Sequence, residues 1–125
     1  MKNSTKPLFI GMNPTKAKPR KGNALDRFKQ WIDAMDLGFV AFSNLSPDPY
    51  WDKKRVDHAY VRSIIGNHTT VVALGGMVSK VLTELQVDHY ALPHPSPLNR
   101  QINDPEFIEK KLQECALFCK LTVYK

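Results

Sequence analysis

The sequence predicts an α/β fold: a three-layer αβα arrangement around a central four-stranded parallel sheet. Two observations lead there. Short apolar runs alternate four times with longer stretches of helical periodicity, the pattern of strands joined by helical crossovers. Three of those runs also end in constrained polar pieces, Gly11–Pro14, Ser43–Asn44 and Pro93–Pro97. In an open parallel sheet, ligands gather beyond the carboxyl ends of the strands. A chain of 125 residues is one domain's worth, and residues 1–125 show no repeat, linker or low-complexity tract.

Each element has a local reason. Pro7–Met12 reads as a short buried strand that stops at a Gly/Asn/Pro turn. Thr15–Asn23 is a loop that gathers Lys16, Lys18, Arg20 and Lys21. Ala24–Asp36 is a helix, because Leu25, Phe28, Ile32 and Met35 recur at helical spacing and Gly38 stops it. Phe39–Phe42 is a second buried strand, and Leu45–Trp51, with Pro47 and Pro49, is a loop. Asp52 is an N-cap for a helix from Lys53 to Ile65 with Val56, Tyr60 and Ile64 on one face. Thr70–Leu74 is the third strand, turning at Gly75–Gly76 into a helix from Met77 to Leu85. Asp88–Leu92 is the fourth strand. Asp104–Pro105–Glu106 starts a helix that runs to Phe118, with Asp at the cap and Pro in the first turn. Leu121–Tyr124 reads as a final short strand.

The composition narrows the class. Apolar residues make up 42% and charged residues 24%, ordinary for a globular protein. No apolar run reaches the roughly 18 residues of a membrane-spanning helix. The first ten residues hold too short an apolar stretch for a secretory signal. Lys and Arg number 18 against 12 Asp and Glu, a formal charge of +6 that favours a polyanionic partner, nucleic acid first. Cys115 and Cys119 are four apart, on one helix face among Leu112, Ala116 and Leu117, which suits buried thiols in a cytosol-like compartment. Two cysteines at that spacing form neither a zinc hairpin nor an iron–sulfur site, so no metal and no cofactor are expected.

Several chemistries lack their motifs. Leu74–Gly75–Gly76–Met77 is neither a dinucleotide-binding turn nor a phosphate loop. No Gly-x-Ser-x-Gly elbow is present, and Ser46 and Ser96 have proline neighbours and no evident base. Asn13, Asn44 and His94 remain at strand ends. Asn13 is either a turn former or a functional amide; Asn44 either starts an Asx-turn or binds a ligand. His94 stands between two prolines that restrict where it points. His58, His68 and His89 read as non-functional residues on a helix, in a loop and in a strand.

These pieces, in this order, resemble the uracil-DNA glycosylase superfamily. Gly11–Met12–Asn13–Pro14 is similar to its first motif as found in the single-strand-selective monofunctional branch. His94–Pro95–Ser96–Pro97–Leu98 is similar to its second motif, Asn44 to its strand-end asparagine, and Val71–Leu74 with Gly75 to its third strand and turn. The resemblance spans roughly Leu8 to Arg100. It implies a glycosylase-like αβα fold and a monofunctional enzyme that hydrolyses the N-glycosidic bond of uracil, or a 5-modified uracil, in DNA. It implies that His94 stabilises the anionic base and Asn13 orients the attacking water. Asn44 would read the base edge, with Gly11, Met12 and Phe42 lining the base site. Leu98 would fill the vacated base stack, and Ser96, Arg100, Lys16, Lys18, Arg20 and Lys21 would contact DNA. The expected partner is DNA, single-stranded or with a flipped base, the expected state a monomer, and the expected location the cytoplasm or wherever that DNA is.

The chain departs from the family after Pro14, where Thr15 replaces the usual Gly or Tyr. The segment Thr15–Leu25 holds no aromatic residue to stack on a base, which leaves Phe42 and Tyr50 as the available rings. Two other readings therefore stand beside the enzyme. One is a non-catalytic, trimmed glycosylase fold that binds nucleic acid or a protein. The other is hydrolysis of a free nucleoside, which would need neither the basic loop nor Leu98.

Overall fold

The computed structural model describes residues 6–12, 23–48, 56–96 and 99–122. Its four strands are β1 (Leu8–Gly11), β2 (Ala41–Asn44), β3 (Val71–Leu74) and β4 (Tyr90–Leu92). They form one sheet in the order β2-β1-β3-β4, and every pairing is parallel. The helices are α1 (Ala24–Met35), α2 (His58–Ile65), α3 (Gly76–Glu84) and α4 (Pro105–Thr122), the last preceded by a 3-10 turn, Arg100–Asn103. This is the α/β class and all-parallel sheet expected from the alternation of apolar runs and helical stretches. Among the described residues, no helix is long and apolar enough to cross a membrane.

The two central strands, β1 and β3, are buried on both faces, so they read as unbroken apolar runs. Period-2 alternation then divides the core. Leu8, Ile10, Val71 and Ala73 pack with Val61 of α2 and Val78, Val81 and Leu82 of α3. Phe9, Val72, Leu74 and Leu92 pack on the other face with Phe28, Trp31 and Met35 of α1 and Cys115 and Cys119 of α4. Both thiols are buried. The hydrogen bond to Cys119, together with burial, pushes the Cys115 thiol up and keeps it protonated.

Several sequence expectations are corrected. The second strand lies two residues later than Phe39–Phe42. The ladder starts where Ala41 N–H meets the Pro7 carbonyl, and Phe39, after Gly38, is 87% exposed. β2 is a half-exposed edge strand, so the apolar run marked its neighbourhood and β1 set its register. The second helix starts at His58, capped by the Asp57 carboxylate on Tyr60 N–H, after Val56 and Asp57 in non-helical conformation. Its buried residue is Val61, not Tyr60. The fourth strand begins at Tyr90. Asp88 and His89 precede it, with the His89 ring tied to Ser79 and to the Val87 carbonyl.

At the carboxyl end, Leu121 and Thr122 extend α4 instead of starting a strand. Thr122 donates to the Phe118 carbonyl at 2.7 Å and accepts from the Thr70 hydroxyl at 2.7 Å. That buried pair pins the end of α4 to the start of β3, and tertiary contact outweighs the strand preference of a β-branched residue. Leu117, placed by sequence beside the thiols, is 58% exposed on the opposite side of α4.

Candidate active site

Because all strands run the same way, Gly11, Asn44, Leu74 and Leu92 end at one edge of the sheet. The register pairs Gly11 with Asn44 and Leu74 with Leu92. The ladder between β1 and β2 continues past the strand ends: Leu45 N–H donates to the Gly11 carbonyl at 2.9 Å and Ser46 N–H to the Met12 carbonyl at 3.1 Å. The Ser46 hydroxyl then accepts from Asp48 N–H. Asn44 is thus the last residue of β2, and the Ser46 N–H that an Asx-turn would use is bonded to the Met12 carbonyl instead.

Gly11 makes room there. A Cβ at this position would come 2.9 Å from Asn44 Oδ1 and 3.3 Å from the Phe42 ring. The absent side chain therefore lets the Asn44 amide oxygen and the Phe42 ring close directly onto the β1 backbone. Phe42 leans on Phe28, with ring centres 5.3 Å apart, and Phe28 in turn on Phe9 at 5.5 Å. This stack fixes the ring while leaving it about half exposed. Met12 takes a different part. Its side chain packs against the α2/α3 side of the core, so it joins that core instead of the Asn44 and Phe42 contact at Gly11.

His94 follows β4 by two residues and is placed by three contacts. Ser96 N–H donates to His94 Nδ1 at 3.0 Å. The Asn99 amide donates to the His94 carbonyl at 3.1 Å, and Asn99 N–H to the Ser96 carbonyl at 2.9 Å. The third contact is Gly75, where a Cβ would stand 3.3 Å from His94 Cβ and 3.5 Å from Cδ2. Gly75 also has φ +98°, a conformation open to glycine. The ring thus lies against the end of β3.

Protonation follows from these contacts. An acceptor at Nδ1 puts the proton of the neutral ring on Nε2. Burial lowers the His94 pKa from its ordinary value and so favours that neutral form. The loop therefore presents an uncharged Nε2–H donor. From β3 to β2 is two strand spacings, about 10 Å. β1 lies between them.

The other sequence candidates fall as follows. Asn13, Lys16, Lys18, Arg20, Lys21, Tyr50 and Leu98 lie outside the described residues. Ser96 stands beside His94, and Arg100 is exposed at the start of the 3-10 turn. The connection carrying the four loop cations leaves β1 at Met12 and rejoins the described chain at Asn23, the cap of α1. It holds no carboxylate, whereas the turns 36–40 and 85–89 at the opposite edge carry Asp36 and Asp88 and no Lys or Arg. Asn99 was not singled out by sequence. Its signal was position, an asparagine five residues beyond His94, where a side chain closes a loop back onto its own backbone. Among the described residues, no three His, Cys, Asp or Glu side chains group to hold a metal.

Outboard of His94, an open cavity of about 340 Å³ lies between the end of β4, the β3–α3 turn and the start of α4. Its walls include Gly75, Leu92, Pro93, Gln101, Phe107 and Lys111. A comparison with protein-family models and with curated proteins finds no match to this chain.

Proposed function

We propose that this protein is a monofunctional DNA glycosylase of the uracil-DNA glycosylase type, acting on uracil or a 5-modified uracil. The observation that carries the reading is the Ser96 N–H bond to His94 Nδ1, which leaves a neutral Nε2–H at the carboxyl edge. Cleaving a base from deoxyribose gives an oxocarbenium-like sugar and an anionic base. A preorganised neutral donor on the base oxygen stabilises that charge as it forms. Lowering the His94 pKa suits this role, because the ring remains a donor without needing to be charged.

The close approach at Gly11 supports the same reading, because it gathers Asn44 and Phe42 at one strand end. Asn44 offers an amide donor and acceptor, the complement of the O4 and N3–H edge of uracil. A cytosine edge needs the amide reversed. The Phe42 ring beside Gly11 supplies the apolar face that the segment Thr15–Leu25 lacks. By resemblance, Asn13 orients the attacking water. An asparagine cannot take a proton as a general base, so the rate rests on stabilising the leaving base. A base read by Asn44 must be unstacked, and the substrate is therefore single-stranded DNA or a flipped nucleotide.

The test is direct. Oligonucleotides carrying one uracil, single-stranded and duplex, are incubated with the protein and treated with alkali. Strand breaks at the uracil are expected, and His94→Ala is expected to slow them by roughly 100- to 1,000-fold. Its DNA affinity should change far less. No breaks with the wild-type chain, or equal breaks with His94→Ala, would remove the reading.

A further inference from the structure

The cavity outboard of His94 combines three groups of different chemistry. Phe107 presents a half-buried ring, Gln101 an exposed amide and Lys111 an ammonium. The Lys111 ammonium stands 5.7 Å from the centre of the Tyr90 ring and 5.9 Å from that of Phe107. At such distances ring faces hold a cation in place. Among the described residues, no ion pair joins Lys111 to a carboxylate. Glu114, one turn further along α4, accepts the Tyr90 hydroxyl at 2.9 Å. The cation is therefore positioned by rings, with its charge left for a ligand. Its neighbours are an aromatic wall and an amide, in a space of about 340 Å³. That volume lies at the small end of ligand pockets, roughly 300–1,000 Å³.

Ring, amide and cation together fit one nucleotide: a base against Phe107, its polar edge on Gln101, its phosphate toward Lys111. Stacking on an aromatic ring beside a backbone-tracking cation is how single strands are held without sequence preference. Position agrees, because the cavity shares Gly75 with the wall behind His94. A strand crossing the carboxyl edge with one base between Asn44 and His94 has its next nucleotide near the end of β4. A base still paired in a duplex is not free to enter.

We infer that this cavity holds the nucleotide next to the reacting one, and so favours single-stranded DNA. The inference rests on the glycosylase reading for the position of the reacting base, but its test does not. A uracil-free single-stranded oligothymidylate carrying one 4-thiothymine is photo-cross-linked to the full chain, and the attachment site is mapped by mass spectrometry. The cross-link is expected on the α4 peptide that contains Phe107. Phe107→Leu keeps apolar volume and removes the ring. It is expected to weaken single-strand binding by roughly ten-fold or more while duplex binding holds. Lys111→Gln is expected to lower the log–log salt slope on single strands by about 0.7.

Melting temperatures near wild type show that both variants fold. If Phe107→Leu melts early, the wild-type cross-link and the Lys111→Gln slope still decide. Cross-links elsewhere, with both variants binding as wild type, would overturn the inference even if uracil excision is intact. A cross-link at Phe107 in a protein that excises no uracil would support the strand-binding cavity and remove the glycosylase reading instead.

Discussion

At the scale of single residues, His94 sets a pH signature. Its neutral Nε2–H is the useful form, and burial depresses its pKa below the ordinary 6.5. Excision is therefore expected to stay level from about pH 8 down to about pH 6.5 and to fall only below it. The stability sign follows the same shift. The unfolded chain binds this proton more readily than the folded one, so stability is full above about pH 6.5 and declines as pH falls through the folded pKa. Single-turnover rates across that range check the first part, and a rate that rises on acidification would mean that imidazolium is the active form. Thr15 bears on the accepted base. In the best-known branch of the resembled family, a tyrosine just after the first motif's Pro blocks the uracil 5-position. Thr15 is far smaller, and one methylene-sized group is discriminated by only about 1–3 kcal/mol even in a fitted pocket. Excision of 5-hydroxymethyluracil at a rate comparable with uracil is expected in side-by-side oligonucleotides. Uracil excision with no action on any 5-substituted uracil would show another group closing that side.

Elements are joined by a few specific ties, and the turn from β3 to α3 matters most to the site. Gly75 N–H donates to the Leu92 carbonyl at 2.8 Å, which locks the turn to β4. Its positive φ and its 3.3 Å clearance to His94 make it the seat of that ring. Gly75→Ala is expected to cost about 1–3 kcal/mol through backbone strain. It should also displace His94 and reduce excision, with Asn44 untouched. Thermal melting and uracil excision measured together check this, and a variant with wild-type values of both would show that the turn is not tight. Further along α3, the Ser79 hydroxyl donates to His89 Nε2 at 2.7 Å, and the His89 Nδ1–H donates to the Val87 carbonyl at 2.8 Å. A carbonyl only accepts, which fixes this tautomer. His89 therefore ties α3 to the segment leading into β4. Tyr90 does similar work on the other face: burial first, then its bond to Glu114, holds its phenol protonated and keeps α4 against the edge strand.

At the scale of the whole molecule, the sequence concentrates cations in one connection. The β1–α1 connection carries Lys16, Lys18, Arg20 and Lys21 without a carboxylate, while Asp36 and Asp88 occupy turns at the other edge. On the proposed reading, that connection contacts the DNA backbone. Binding to DNA is expected to fall steeply with salt. Neutralising Lys18 and Arg20 is expected to flatten the log–log slope by about one unit per lost phosphate contact. Titrations at several salt concentrations measure it, and an unchanged slope would leave that segment as a solvated turn. On the proposed reading these cations take no part in the reaction itself, so the variants are expected to keep their single-turnover rate at saturating protein.

The sequence by itself determined the class of fold and the edge on which polar groups gather. β1 and β3 are buried on both faces, so burial left continuous apolar runs, and parallel connections sent every strand end the same way. It also marked Asn44, at the end of an apolar run, and His94, held between two prolines. Tertiary structure decided the rest. β2 is an edge strand whose register comes from pairing with β1, so its apolar run misplaced it by two residues. Thr122 is helical because Thr70, 52 residues away, holds its hydroxyl. The His94 tautomer depends on how the loop folds back to bring Ser96 N–H to Nδ1, and the close packing at Gly11 on Phe42 and Asn44 arriving from another strand. Local periodicity carries burial, because burial acts on each segment's own side chains. Register, protonation and close packing depend on groups distant in the chain, and only the tertiary fold brings those together.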